Sequence, residues 1–175
     1  MLDKLAVGLH DRMVAAGVEK APSAAVIKYA FDILTNTLSA AVAALIIGAF
    51  TGEFRSTCFA LLVLAVIRYM SGGYHLRSSL LCATVSTLTL AAIPHVPVAD
   101  AWMPYLTGFA VIMMLIFAPA NYDTYATLPA RYYPLLKVLS ALFAASNFLV
   151  HSDIMTVVIV LQSILLLFKE GGEAE

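Results

Sequence analysis

The chain has 175 residues, 62% of them hydrophobic and only 12% charged, which is about half the usual share of Asp, Glu, Lys and Arg. A mean hydropathy of +0.91 belongs to an integral membrane protein and not to a soluble core. The net charge of −1 supplies no basic field for nucleic acid, and two cysteines without a CxxC pair exclude a disulfide framework.

In chain order, residues 2–17 read as a helix lying on the membrane surface. Leu2, Leu5, Leu9, Met13 and Ala16 recur at helical spacing, with Asp3, Lys4, Asp11 and Arg12 elsewhere. Such a helix anchors a bundle; a docking face for a peptide is the alternative. The charges through residues 1–22 leave no apolar core for a secretory leader. Pro22 and Ser23 then punctuate, and apolar runs follow at about 24–50, 54–71, 79–93, 101–118, 134–150 and 153–168, divided by Gly72, Gly73, Pro94, Pro97 and Pro119. Asp32 reads as the i+4 partner of Lys28. The tail "KEGGEAE" reads as disordered. The expected fold is therefore all-α: one polytopic membrane domain of six transmembrane helices behind an N-terminal interfacial helix at residues 1–22.

Charge supports that count. With six spans and both termini cytoplasmic, only Arg55 of the ten Lys and Arg residues falls on the outer side, as the positive-inside rule requires. Changing the count by one span destroys the alternation. Trp102 and Tyr105 then mark the outer interface, and Tyr122, Tyr125, Tyr132 and Tyr133 the inner one.

One cytoplasmic connection concentrates chemistry: "RYMSGGYHLRSSLLC", residues 68–82. Gly72 and Gly73 let the backbone leave a helix, and Ser78 or Ser79 is suited to cap the next one. Cys82 then falls in a first helical turn. A thiol is only about 3% ionised at pH 7, and the positive end of a helix favours the thiolate. His75 lies seven residues earlier, about 10 Å away along a straight helix, so it reaches Cys82 only if the segment bends. A bent segment makes a Cys–His nucleophile and base. Against this stand a cysteine that is a small buried hydrophobe and a histidine that is merely interfacial. His95 and His151, with Asp100 and Asp153, make a weak zinc set. Asn147 and Gln162 read as hydrogen bonds between helices. No metal or cofactor is expected.

The pattern Arg68-x3-Gly72-Gly73-x-His75-x6-Cys82 in a six-span chain of this size, with "FAPANYDTYATLPARYYPLLK" downstream, resembles the accessory gene regulator B (AgrB) family. The resemblance implies a cysteine endopeptidase of quorum sensing in the bacterial cell membrane. Such proteins cleave a small precursor peptide, AgrD, through an acyl-thioester and promote its cyclisation to a thiolactone or lactone. The family's catalytic histidine and cysteine map onto His75 and Cys82, and its arginine onto Arg68. Arg68, Gly72, Gly73, Ser78 and Ser79 are then candidates for substrate binding or electrostatic support, Asp123 is a candidate third member, and a homodimer is implied. The rival reading is a small transporter or an assembly scaffold. A transporter would show paired broken helices and mid-membrane charges, whereas here the charges gather at the ends of the spans.

Overall fold

A computed structural model describes residues 2–74, 78–121 and 129–168. His75, Arg77, Asp123 and the acidic tail lie outside the described residues. Every named element is helical: α1 (Leu2–Ala15), α2 (Ala24–Phe50), α3 (Phe54–Ser71), α4 (Ser79–Ala92), α5 (Met103–Phe117), α6 (Tyr133–Ala145), α7 (Asn147–Val150) and α8 (Asp153–Leu165). Short 3₁₀ turns at Ile93–His95 and Ala130–Tyr132 extend α4 and precede α6.

Three stretches are long and apolar enough to cross a membrane: Ala24–Phe50, Phe54–Ser71 and Ala130–Val150. Ser79–His95, Met103–Phe117 and Asp153–Leu165 are apolar but shorter. At 15 residues, α5 is about 22 Å long, against an apolar bilayer thickness of about 30 Å.

The chain divides into two compact units, Met1–Ala43 with Leu76–Thr87, and Ala44–His75 with Leu88–Glu175. In the first, α1 is tied down by polar contacts. Asp3 and Lys28 form an ion pair at 2.7 Å, and His10 Nδ1 lies 2.9 Å from the Pro22 carbonyl. Lys28 thus pairs directly with Asp3 across elements, and Asp32 one turn on adds a weaker Coulomb attraction. Both partners are exposed, and the nearby ammonium holds the Asp3 carboxyl below the usual aspartate range. Leu5 and Leu9, two of the residues expected on the apolar face of α1, remain exposed, while Ala6 is buried. The Thr87 hydroxyl donates to the Ala40 carbonyl at 3.3 Å.

The second unit holds the core. Ala60, Val63 and Ile67 of α3, Ala110 and Met114 of α5, Ala141 and Ala144 of α6, and Val158 and Ile159 of α8 close around one another. Many are small, which lets helix backbones approach closely when lipid supplies no hydrophobic drive between helices. Gly48 shows the same device: a Cβ there would lie 2.9 Å from Thr57 Cβ on α3. Polarity is inverted relative to a soluble protein. Thr57, Ser71, Thr107, Ser140, Asn147, Thr156, Gln162 and Ser163 are buried, whereas Leu34 (63%), Leu38 (61%), Leu62 (62%) and Leu149 (87%) face outward. Apolar surface on this scale would aggregate in water; it suits a molecule whose solvent is lipid.

Asn147 organises the break between α6 and α8. Its amide donates to the Thr107 and Thr156 hydroxyls at 3.1 and 2.8 Å and accepts from the Ser152 N–H at 3.1 Å. Ser152 caps α8 by accepting from the Met155 N–H, as Ser does at an N-cap.

Candidate active site

The functional candidates sit around two local structures, the end of α3 and the start of α4. Helix α3 stops at Ser71 because Gly72 takes φ 70 and ψ −148, a conformation close to glycine-only territory. Gly73 also has a positive φ, 147. The backbone then runs beside the segment after α5, in a parallel bridge between Gly72 and Ala120.

Leaving a helix strips the chain of its internal hydrogen bonds, and a buried carbonyl must find a donor elsewhere. Here four successive carbonyls do. Ser71 O accepts from the Ala120 N–H at 2.9 Å. Gly72 O accepts from Gln162 Nε2 at 2.6 Å, and Gly73 O from Asn121 Nδ2 at 3.2 Å. Tyr74 O accepts from the Arg68 guanidinium at 2.6 Å. The Gly73 N–H is also satisfied, by Ala120 O at 3.1 Å.

Three elements therefore supply the donors. Arg68 comes from the last turn of α3, Asn121 from the segment after Pro119, and Gln162 from α8. Asn121 also donates to the Phe168 carbonyl at 3.1 Å, and the Tyr74 and Phe168 rings lie 6.0 Å apart. Gln162 is fully buried; its Nε2 bonds Ser71 Oγ as well, at 2.9 Å, while its Oε1 has no partner. The bond to Gly72 O fixes which end of the amide is which, since the reverse orientation would set two acceptors together. A side chain at residue 73 would crowd this cluster, its Cβ 3.1 Å from Gln162 Nε2 and 3.4 Å from an Arg68 guanidinium nitrogen.

The start of α4 is built separately. Ser78 precedes the first helical residue and acts as the cap: its Oγ faces the Leu81 N–H at 3.4 Å, and its carbonyl accepts from the Cys82 N–H at 2.9 Å. Ser79 is the first helical residue and does not cap. Cys82 closes the first turn and is half-buried. Ser79 and Leu80 begin the helix, so their N–H groups have no acceptor within it. Neither Cys82 nor Cys58 is in a disulfide. Among the described residues, no group of three or more His, Cys, Asp or Glu comes together to hold a metal.

Of the sequence candidates, Arg68, Gly72 and Gly73 are brought together in one hydrogen-bonded turn, and Ser78, Ser79 and Cys82 in one helix start. His75 and Asp123 fall outside the described residues. Sequence reading missed Asn121 as a member of the turn. Gln162, read as a link between helices, does bond Ser71 at the end of α3, and it also holds the Gly72 carbonyl of the turn.

The family model for accessory gene regulator B (AgrB) matches residues 4–169. An AgrB-like protein of Halalkalibacterium halodurans is 28% identical over 174 residues, covering 95% of this chain and 87% of the relative. No solved structure matches the chain at a significant level. The chain belongs to the AgrB family, and with its apolar helices it is a membrane protein of quorum-sensing peptide processing.

Proposed function

We propose that this AgrB-family chain is a membrane-embedded cysteine endopeptidase acting through Cys82 and His75 on a small AgrD-like precursor peptide. The observation that carries the reading is the helix start. In a chain of this family, the one thiol at the expected spacing closes the first turn of α4 behind a serine cap. A helix N-terminus favours a thiolate through its partial positive charge and unsatisfied N–H groups.

His75 takes the proton of Cys82, and the thiolate attacks a precursor carbonyl. The C–N bond breaks, the amine leaves with the proton from His75, and an acyl-thioester remains on Cys82. A cysteine or serine within the precursor then attacks the thioester and releases the Cys82 thiol, closing a thiolactone or lactone ring without ATP. The developing oxyanion needs donors. The Cys82 N–H is already bonded to Ser78 O, so the N–H groups of Ser79 and Leu80 are the donors we assign. Water is kept from the thioester by the membrane edge. The six apolar helical segments cross the bacterial cell membrane with both termini cytoplasmic, so the Gly-Gly turn and the start of α4 face the cytoplasm.

The test compares the parent with Cys82→Ala, Cys82→Ser and His75→Ala in membrane vesicles at matched protein levels, following cleavage of the precursor. All three lose cleavage. If cleavage persists in Cys82→Ala and His75→Ala, the endopeptidase reading is wrong and the chain is a transporter or scaffold.

A further inference from the structure

We propose that the N-terminal end of α6 is a binding site for an anionic phospholipid, its phosphate held by Arg131 and Lys137 and an acyl chain lying along the exposed apolar face beyond them. Both cations stand without a counter-charge: among the described residues, neither is in an ion pair. Each is held instead by a neutral group. The Arg131 guanidinium lies 4.8 Å from the centre of the Tyr132 ring and donates to the Tyr132 hydroxyl at 3.1 Å. Lys137 Nζ donates to the Ile116 carbonyl at 3.3 Å, near the end of α5, where carbonyls have no donor within the helix. A guanidinium and an ammonium each carry several N–H donors, so one neutral contact apiece leaves donors for phosphate oxygens. Lys137 lies six residues beyond Arg131, about 9 Å of helix rise. Helical side chains lean toward the N-terminus, which returns its ammonium toward the level of the arginine.

The same helix presents what the rest of a lipid needs. Leu135, Val138 and Leu142 recur at helical spacing and are exposed, while Leu136, Ser140 and Ala144 are buried. On α5, which packs against α6, Ile112 and Ile116 are exposed as well. From Tyr133 to Leu142 the helix rises about 14 Å, against roughly 15 Å for one leaflet of an apolar core about 30 Å thick. Tyrosines settle at headgroup level, and Tyr132 at the head of this stripe sets Arg131 at that depth. Charge at one end and apolar surface for the depth of one leaflet complement a phospholipid along its whole length. A soluble acidic peptide would match the cations and leave the stripe without a partner. The cations are also placed in advance, one stacked on a ring and one tethered to α5, which lowers the cost of ordering them around a headgroup. A lysine that only snorkels has no such fixed geometry.

The experiment uses the full chain in micelles of an uncharged detergent, titrated with phosphatidylglycerol or with phosphatidylcholine of the same chains. Bound lipids are counted by native mass spectrometry. The parent retains phosphatidylglycerol at concentrations where phosphatidylcholine is not retained. Arg131→Gln and Lys137→Gln each weaken the first phosphatidylglycerol about five-fold, the scale of one Lys or Arg at an anionic membrane surface, and the double variant weakens it roughly 25-fold. Lys20→Gln removes an exposed cation elsewhere and leaves that first binding unchanged. Arg131 is exposed, so Arg131→Gln can be read even if Lys137→Gln disturbs the contact between α5 and α6. Glycerol phosphate and hexaglutamate, which carry charge without acyl chains, do not displace the lipid at equal concentration. Equal retention of the two lipids by the parent, undiminished binding in the double variant, or an equal loss from Lys20→Gln would each overturn the site. Displacement by glycerol phosphate would make it a site for free phosphate, and displacement by hexaglutamate a site for an acidic peptide; either result overturns the lipid assignment.

Discussion

Replacing Gly72 by alanine tests whether the turn is as rigid as its bonding indicates. At φ 70 and ψ −148, an L-alanine carries backbone strain of about 1–3 kcal/mol. The turn can relax to an ordinary conformation only by breaking bonds. The carbonyls of Ser71, Gly72 and Gly73, and the Gly73 N–H, are all paired with residues 120, 121 or 162. Each such bond is worth about 0.5–1.5 kcal/mol net, and together they exceed the strain of one alanine. Gly72→Ala should therefore fold with the turn held in place and lose about 1–3 kcal/mol of stability. Gly73→Ala adds a contact to the strain of its own positive φ, because its Cβ meets Gln162 Nε2 at 3.1 Å. That nitrogen is anchored by two hydrogen bonds and does not yield freely. Gly52→Ala is the control: φ is 79, but a Cβ there has no neighbour within 4 Å, so only the backbone cost applies. The assay is reversible unfolding in mixed detergent micelles, read by circular dichroism and by fluorescence of the single Trp102. A Gly72→Ala protein within about 0.5 kcal/mol of the parent, the range of an ordinary surface change, would show that the turn is not held as described.

Gly48→Val should destabilise by about 1–3 kcal/mol through overpacking against Thr57, measured by the same unfolding curves; an unchanged midpoint would mean that α2 and α3 can separate there at no cost. Ser78→Ala removes the cap of α4 and should cost about 1 kcal/mol, with faster amide exchange confined to the first turn of that helix. The Asp3–Lys28 pair lowers the Asp3 pKa, so its contribution is complete at neutral pH and is lost only as the pH falls through that lowered value. Exchange protection of α1 should hold flat from pH 8 to 5, drop in stronger acid, and lose that acid dependence in Asp3→Asn. Asn147→Leu, which strands the Ser152 N–H, should cost about 1–3 kcal/mol in the same measurement; a loss below about 0.5 kcal/mol would show that these bonds contribute nothing net.

Much of the fold is legible from composition and punctuation. Helices begin at Ala24, Phe54 and Ser79, where Pro22–Ser23, the Gly52–Glu53 break and Ser78 place them, and the Gly-Gly pair ends α3. Less legible is the break at Ser146, which falls inside the run read as a single span from 134 to 150. It is set by Asn147 bonding sideways to Thr107 and Thr156, contacts made only after distant helices pack. The closest partner of Lys28 is hidden for the same reason. Spacing suggests Asp32, but the fold of α1 brings Asp3 to 2.7 Å. At the candidate site, Arg68, the glycines and Cys82 were visible because local chemistry marks them. Asn121 and Gln162 were not visible as turn ligands, because nothing local says that they will meet residues about 50 and 90 positions away.

The two buried amides of the second unit show why polar residues inside such a protein need separate physical accounts. Asn147 uses both its donor and its acceptor between helix ends, so removing it strands partners and loosens packing. Gln162 spends its donors on Ser71 and the turn and leaves its acceptor orphaned, a state that costs about 1–3 kcal/mol. An apolar side chain in its place would remove that orphan but strand the Gly72 carbonyl instead. Irregular backbone within a membrane bundle, however, survives only if protein groups replace the water that would otherwise satisfy it. Gln162 supplies such a group to the Gly72 carbonyl, and Asn121 supplies one to the Gly73 carbonyl, so the turn that ends α3 keeps its hydrogen bonds without leaning on solvent.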